Sequence, residues 1–213
     1  MDKLQLQLAL DNRDLQSALS VIQQTHAFVD IIEVGTVLCL AEGMHAVRTM
    51  RSLFPHKLIV ADVRIIKAGG LIAEVCFAAG ADRVSIMSDA STETIAAVIK
   101  QAERFAGDVQ IELNGNWHLD QAKHWFDLGI RQVISHRTDE AGSASASWKP
   151  EDFTMIAALA EMGFQVTVTG GITLADVPLL KEQPVAVIIA GRAIRDAEDP
   201  AAAARLFREA IDQ

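Results

Sequence analysis

The chain contains no tyrosine, and only 5% of its 213 residues are aromatic. A core of stacked rings is therefore excluded, and a mostly aliphatic one is expected, as in the layered interior of a parallel barrel. Cysteine is nearly absent as well. Cys39 and Cys76 lie in apolar surroundings and form no CxxC pair. That argues against disulfide scaffolds, thiolate metal sites and redox motifs, and leaves two reduced, packed thiols. No apolar run approaches the roughly 18 residues of a membrane span. Met1-Asp2-Lys3-Leu4 lacks a basic stretch leading into an apolar one. No membrane partner and a cytoplasmic location are expected. Positive charge is in deficit: 19 Lys and Arg face 28 Asp and Glu, for a net charge of -9. With no basic cluster to offset this, nucleic acid is not an expected partner.

Half of the residues are hydrophobic, enough to fill a large core. The length suits one domain, 1–213, because barrels of roughly 200–250 residues are commonly undivided. Short apolar runs mark strands at Leu4–Leu10, Val29–Val34, Lys57–Asp62, Arg83–Met87, Val109–Leu113, Gln132–Ser135, Gln165–Thr169 and Val185–Ala190. Several are continuously apolar, as strands buried on both faces are. Helical spacing fills the intervals, as in Asp14 to His26, Ser91 to Phe105, Leu119 to Leu128, Pro150 to Met162 and Pro200 to Ile211. Pro-Glu-Asp at 150–152 is a favourable helix start. Eight strand–helix units predict an α/β fold, a single (β/α)₈ barrel. An open doubly wound sheet is the alternative, disfavoured by the count of eight and by the lack of an early GxGxxG.

In such a barrel, chemistry gathers where strands end. The first strand leads to Asp11, the second ends at Glu33, and the third ends at Asp62, with Arg64 two residues later. The fifth carries Glu112, the sixth leads to His136, the seventh to Thr169-Gly170-Gly171, and the eighth to Gly191-Arg192. Any one of these is equally readable as a loop charge or a cap. Their joint occurrence on one rim is the informative feature. Glu33 and Asp62 lie on adjacent strands and suit a hard cation such as Mg²⁺, which takes one or two carboxylates and completes its shell with water and substrate oxygens. Glycines at the ends of strands seven and eight, beside Arg192, suit a phosphate group. His136 differs from His26, His45, His56, His118 and His124, which are expected on helices or outer loops, because it ends a strand at this rim, where an imidazole could donate or accept a proton.

At these residues the chain resembles the 3-keto-L-gulonate 6-phosphate decarboxylase family, a branch of the orotidine 5′-monophosphate decarboxylase superfamily. Hexulose-6-phosphate synthase is its close sister. The resemblance spans essentially the whole chain. It rests on LALD at 8–11, DIIEVGTVLC at 30–39, PHKLIVAD at 55–62, GDVQIEL at 107–113, HR at 136–137, VTVTGGI at 166–172 and IAGRAIRDA at 189–197. It implies a homodimeric, Mg²⁺-dependent lyase of L-ascorbate catabolism. Such an enzyme decarboxylates a phosphorylated keto-sugar acid to L-xylulose 5-phosphate through a metal-stabilised enediolate. By position, Glu33 and Asp62 match the metal ligands, and Asp11 and Glu112 the substrate-binding acids. His136 matches the group that helps deliver the proton, and Thr169, Gly171, Gly191 and Arg192 the phosphate site. The sister's aldol condensation, and a barrel that binds sugar phosphates without turnover, are the alternative readings.

The chain departs from the family at three positions. Where the family has Asp-x-Lys-x-x-Asp, this sequence reads Asp62-Val63-Arg64-Ile65-Ile66-Lys67. Arg64 keeps a cation but is planar and does not readily release a proton. Lys67 reverses the charge of an aspartate that, in the family, reaches the partner subunit's site. Asp139 stands where the decarboxylases have arginine. These three residues predict weakened or altered turnover.

Overall fold

The computed structural model describes residues 3–115, 117–137 and 147–213. Eight parallel strands close into a barrel in chain order. They are β1 (Gln5–Leu10), β2 (Ile31–Val34), β3 (Leu58–Ile65), β4 (Arg83–Met87), β5 (Asp108–Leu113), β6 (Gln132–His136), β7 (Gln165–Thr169) and β8 (Val187–Ala190). Pairing of Gln5 with Val187 and of Gln7 with Ile189 shuts the ring. The helices are α1 (Leu15–Thr25), α2 (Thr36–Glu42), α3 (Met44–Leu53), α4 (Gly69–Ala78), α5 (Thr92–Phe105), α6 (Leu119–Asp127), α7 (Pro150–Glu161), α8 (Val177–Lys181), α9 (Arg192–Arg195) and α10 (Pro200–Asp212).

Local chemistry sets the helix starts. Asp14 accepts from the Ser17 N–H at 2.7 Å to cap α1, and Asp199 caps α10 by accepting from the Ala202 N–H at 2.9 Å. Ser91 caps α5, and Pro150 opens α7. Such caps satisfy N–H groups that the helix leaves unpaired. No helix among the described residues is long and apolar enough to cross a membrane. Cys39 and Cys76 are free and buried, and burial pushes both thiols up to about 12.

The eight expected strands are all present, but two expectations need correction. First, the barrel interior is mixed rather than aliphatic throughout: the clusters Ala9, Ile134, Ile189 and Ile31, Val60, Val187 lie there among polar groups, and the largest aliphatic cluster lies outside. Leu6, Leu8 and Leu10 of β1 belong to the large cluster that packs strands against helices. The intervening Gln7 and Ala9 line the central cavity. Gln110 and Gln132 are likewise buried, and the Gln110 amide donates to Gln132 at 3.1 Å. These polar groups are partly paired with one another, while Gln7 Oε1 and Gln110 Oε1 have no hydrogen-bond partner among the described residues. β8 (Val187–Ala190) is apolar and buried throughout, as expected, whereas β1 alternates leucine with polar or small residues. Second, β3 does not stop at Asp62. Its pairing with β4 advances from Ala61–Val84 to Ile65–Ile86, four steps against two. Arg64 in this irregular stretch has φ 48°, in the left-handed region. A bulge of this kind re-aims side chains, and Asp62 and Arg64 both reach the cavity.

Candidate active site

A cavity of about 1440 Å³ opens at the C-terminal ends of the strands. Asp11, Glu33, Asp62, Arg64, Glu112, His136, Thr169, Gly171, Gly191 and Arg192 all line it. All the sequence-derived candidates therefore meet in one place. Lys67 does not join them: it is exposed and lies outside the cavity lining. Asp139 falls outside the described residues.

The acidic end is built on β1, β2, β3 and β5. Glu33 is buried and accepts from the Gln7 side-chain amide. Burial pushes its carboxyl well above the ordinary range, and the Asp62 charge adds to the rise. The Gln7 bond opposes it, while Asp11 and Glu112 add further. Asp62 is 6% exposed. Its Oδ1 accepts from Ser85 Oγ at 2.6 Å and its Oδ2 from Thr36 Oγ1 at 2.7 Å. Ser85 also accepts from the Arg64 N–H at 2.9 Å, so a single hydroxyl ties the bulge to the carboxylate. Asp11 approaches because residue 35 is glycine: a Cβ there would lie 2.4 Å from Asp11 Oδ1.

Arg64 spans this end. Its Nε lies 3.4 Å from Asp62 Oδ2 and 3.2 Å from Glu112 Oε2. Burial works against its charge, but Asp62 and Glu112 outweigh that and hold the guanidinium above its usual range. Glu112 uses its other oxygen on His136, with Oε1 3.1 Å from Nδ1. A carboxylate on Nδ1 makes that atom the donor and leaves Nε2 as the ring nitrogen available to a ligand.

The acidic end fits a divalent cation. Glu33 and Asp62 are hard oxygen donors on neighbouring strands, and the crowding that raises the Glu33 carboxyl is relieved by positive charge. No third acidic, histidine or cysteine ligand completes a cage among the described residues. Mg²⁺ needs none, since water and substrate fill its shell.

The opposite end carries the glycines and Arg192. Gly170 and Gly171 have φ of 104° and 64°. Arg192 is exposed and makes no ion pair among the described residues. Arg195 lies 3.9 Å from Asp11, where the two ends meet. Sequence reasoning did not single out Gln7, Ser85, Trp148 or Asp176, and it named Thr36 and Arg137 only as neighbours of Glu33 and His136, without a role. Gln7 and Ser85 were legible only through the alternation that places them inside the barrel. The others depend on contacts between distant segments.

The family profile described as Orotidine 5′-phosphate decarboxylase / HUMPS family matches residues 4–207. The 3-keto-L-gulonate-6-phosphate decarboxylase UlaD of Salmonella paratyphi B is 48% identical over 208 residues, covering 98% of this chain and 96% of that protein. A crystal structure of KGPDC from Streptococcus mutans superposes with TM-score 0.94 at 40% identity, over 98% of this chain and 97% of that one. The 3-hexulose-6-phosphate synthase of Salmonella typhimurium is more distant in sequence, with TM-score 0.91 at 28% identity over 99% of each chain.

Proposed function

Because the chain belongs to the Orotidine 5′-phosphate decarboxylase / HUMPS family, we propose that it is a carbon–carbon lyase that decarboxylates 3-keto-L-gulonate 6-phosphate to L-xylulose 5-phosphate. The observation that carries this reading is the two-ended cavity, with carboxylates and one arginine at one end, and glycines and Arg192 at the other. Mg²⁺ held by Glu33 and Asp62 would supply Lewis acidity toward the substrate's oxygens.

The remaining steps belong to the chain's own groups. Thr169, Gly171, Gly191 and Arg192 anchor the phosphate. Asp11 and Glu112 accept from sugar hydroxyls. When the bond to the carboxylate breaks, CO₂ leaves and its bonding electrons stay on the sugar as an enediolate. The Arg64 guanidinium, already among carboxylates and above its usual range, offsets that charge. His136, as an imidazolium with its Nδ1–H held by Glu112, delivers the Nε2 proton to the carbanionic carbon and is left neutral. The exposed apolar side chains Leu40, Ile66, Leu71 and Val75 flank the exits of β2 and β3 and support a homodimer built across that side. Two free, buried thiols accord with a cytoplasmic setting.

The test is CO₂ release from 3-keto-L-gulonate 6-phosphate with Mg²⁺, run beside formaldehyde consumption with ribulose 5-phosphate. CO₂ release that disappears on chelation supports the reading. Formaldehyde consumption alone would replace it with aldol chemistry, and binding without either reaction would leave a sugar-phosphate-binding barrel.

A further inference from the structure

Arg137 follows His136 but takes no part in the chemistry described above. It is 8% exposed, and its side chain is directed at the turn after β7. Nε donates to the Gly170 carbonyl at 3.0 Å, and Nη2 to the Gly171 carbonyl at 2.9 Å. Nη1 donates to Asp176 Oδ1 at 3.0 Å. Trp148 closes the arrangement: its Nε1 donates to the same Asp176 oxygen at 3.1 Å, and its ring lies 4.8 Å from the guanidinium carbon. The other Asp176 oxygen accepts from the Thr173 N–H at 2.8 Å and hydroxyl at 2.9 Å. All the donors on the guanidinium face that binds the turn are thus spent on fixed acceptors.

The consequence follows from peptide planarity. In a trans peptide the N–H points opposite to the C=O. With the Gly170 and Gly171 carbonyls drawn to Arg137, the N–H groups of Gly171 and Ile172 face away from it. Neither N–H donates to another group among the described residues, and Gly170, Gly171 and Ile172 all line the cavity. Gly170 is required for this pose, because a Cβ there would lie 2.2 Å from the Arg137 carbonyl oxygen.

We infer that Arg137 is a positioning residue for phosphate recognition: it turns two carbonyls out of the cavity and aims two backbone N–H groups into it. Asp176 and Trp148 hold Arg137 in that role. The inference rests on the proposed phosphate site and adds to it a residue that does not touch the ligand.

The test uses the full chain, with D-ribose 5-phosphate and unphosphorylated D-ribose as probes in calorimetric titrations. Arg137→Lys keeps the charge but cannot serve three acceptors in a plane. It is expected to weaken D-ribose 5-phosphate binding about ten-fold and to leave D-ribose unchanged. In turnover it is expected to raise KM with kcat within about two-fold, because a phosphate contact acts alike on ground and transition states. Wild-type affinity in Arg137→Lys overturns the inference, and so does a loss confined to kcat. Should that variant fail to fold, Asp176→Asn takes its place, with about three-fold weaker binding expected and unchanged binding overturning the inference. Arg192→Ala separates the two readings. If it weakens D-ribose 5-phosphate while Arg137→Lys does not, the positioning role alone fails. If neither variant changes binding, the phosphate reading fails with it.

Discussion

Arg64 Nε lies 3.2 Å from Glu112 Oε2, while the other oxygen of that carboxylate lies 3.1 Å from His136 Nδ1. The cation that faces the proposed metal end and the imidazole proposed to move the proton are therefore joined through a single buried carboxylate. Anything that repositions Arg64 is felt at His136 as well as at Asp62.

On the proposed ligand set, Arg64 and a divalent cation would compete for Asp62 Oδ2. Removing the guanidinium removes both the competition and a like charge. Arg64→Met is expected to bind Mg²⁺ about ten-fold more tightly by calorimetry while its CO₂ release falls. Looser Mg²⁺ binding in that variant would contradict the proposed ligand set.

Restoring the family pattern at the exit of β3 is expected to restore turnover. Arg64→Lys combined with Lys67→Asp should raise CO₂ release about ten-fold. Position 67 is exposed and away from the cavity within one chain. Lys67→Asp alone should therefore act only if a second subunit presents it to a site. Light scattering of the same samples gives the subunit count, and no gain in the double variant would place the weakened turnover elsewhere.

Metal-free stability should depend on pH through Glu33. Its carboxyl titrates higher in the folded chain than its ordinary value near 4.5. The folded state therefore holds that proton more tightly, and the stabilisation is complete below about 4.5. It is lost as pH rises through the raised folded value. In chelator, the thermal midpoint of Glu33→Gln should fall less than that of the unaltered chain over this window. Parallel slopes for the two proteins would show that Glu33 is not strained by its neighbours.

Gly170→Ala puts a Cβ against the Arg137 carbonyl, at a φ of 104°. The expected cost is about 2–4 kcal/mol of stability, from left-handed strain and the clash together. Urea denaturation measures it, and D-ribose 5-phosphate binding should weaken in the same variant.

Strand count, strand order and the convergence of ten polar or glycine positions on one rim were legible in the chain, because each is a consequence of period and punctuation. Glu33, Asp62 and Glu112 stood out as carboxylates following apolar strand residues, and the cavity contains all three. The bulge in β3 was not legible. Nothing in Asp62-Val63-Arg64 signals two extra residues, and the conformation depends on Ser85 from the next strand. Arg137 was hidden for a related reason. It reads as the neighbour of a histidine, and only its contacts with Gly170, Gly171, Asp176 and Trp148 reveal its task. The polar lumen went unread in Gln5-Leu6-Gln7-Leu8, where the leucines drew attention although they face the helices.

The bulge in β3 also bears on how this site can change. The backbone at 64 is held from outside itself: its N–H donates to Ser85, and Ser85 in turn donates to Asp62. That bracing runs through the backbone, and the Arg64 side chain adds a separate contact to Asp62 Oδ2 at 3.4 Å. A different side chain at 64 would keep this backbone mount while changing what meets Asp62 and Glu112. The third strand thus works as a socket, and a lineage can trial new reactions at it by exchanging one side chain while the barrel stays as it is.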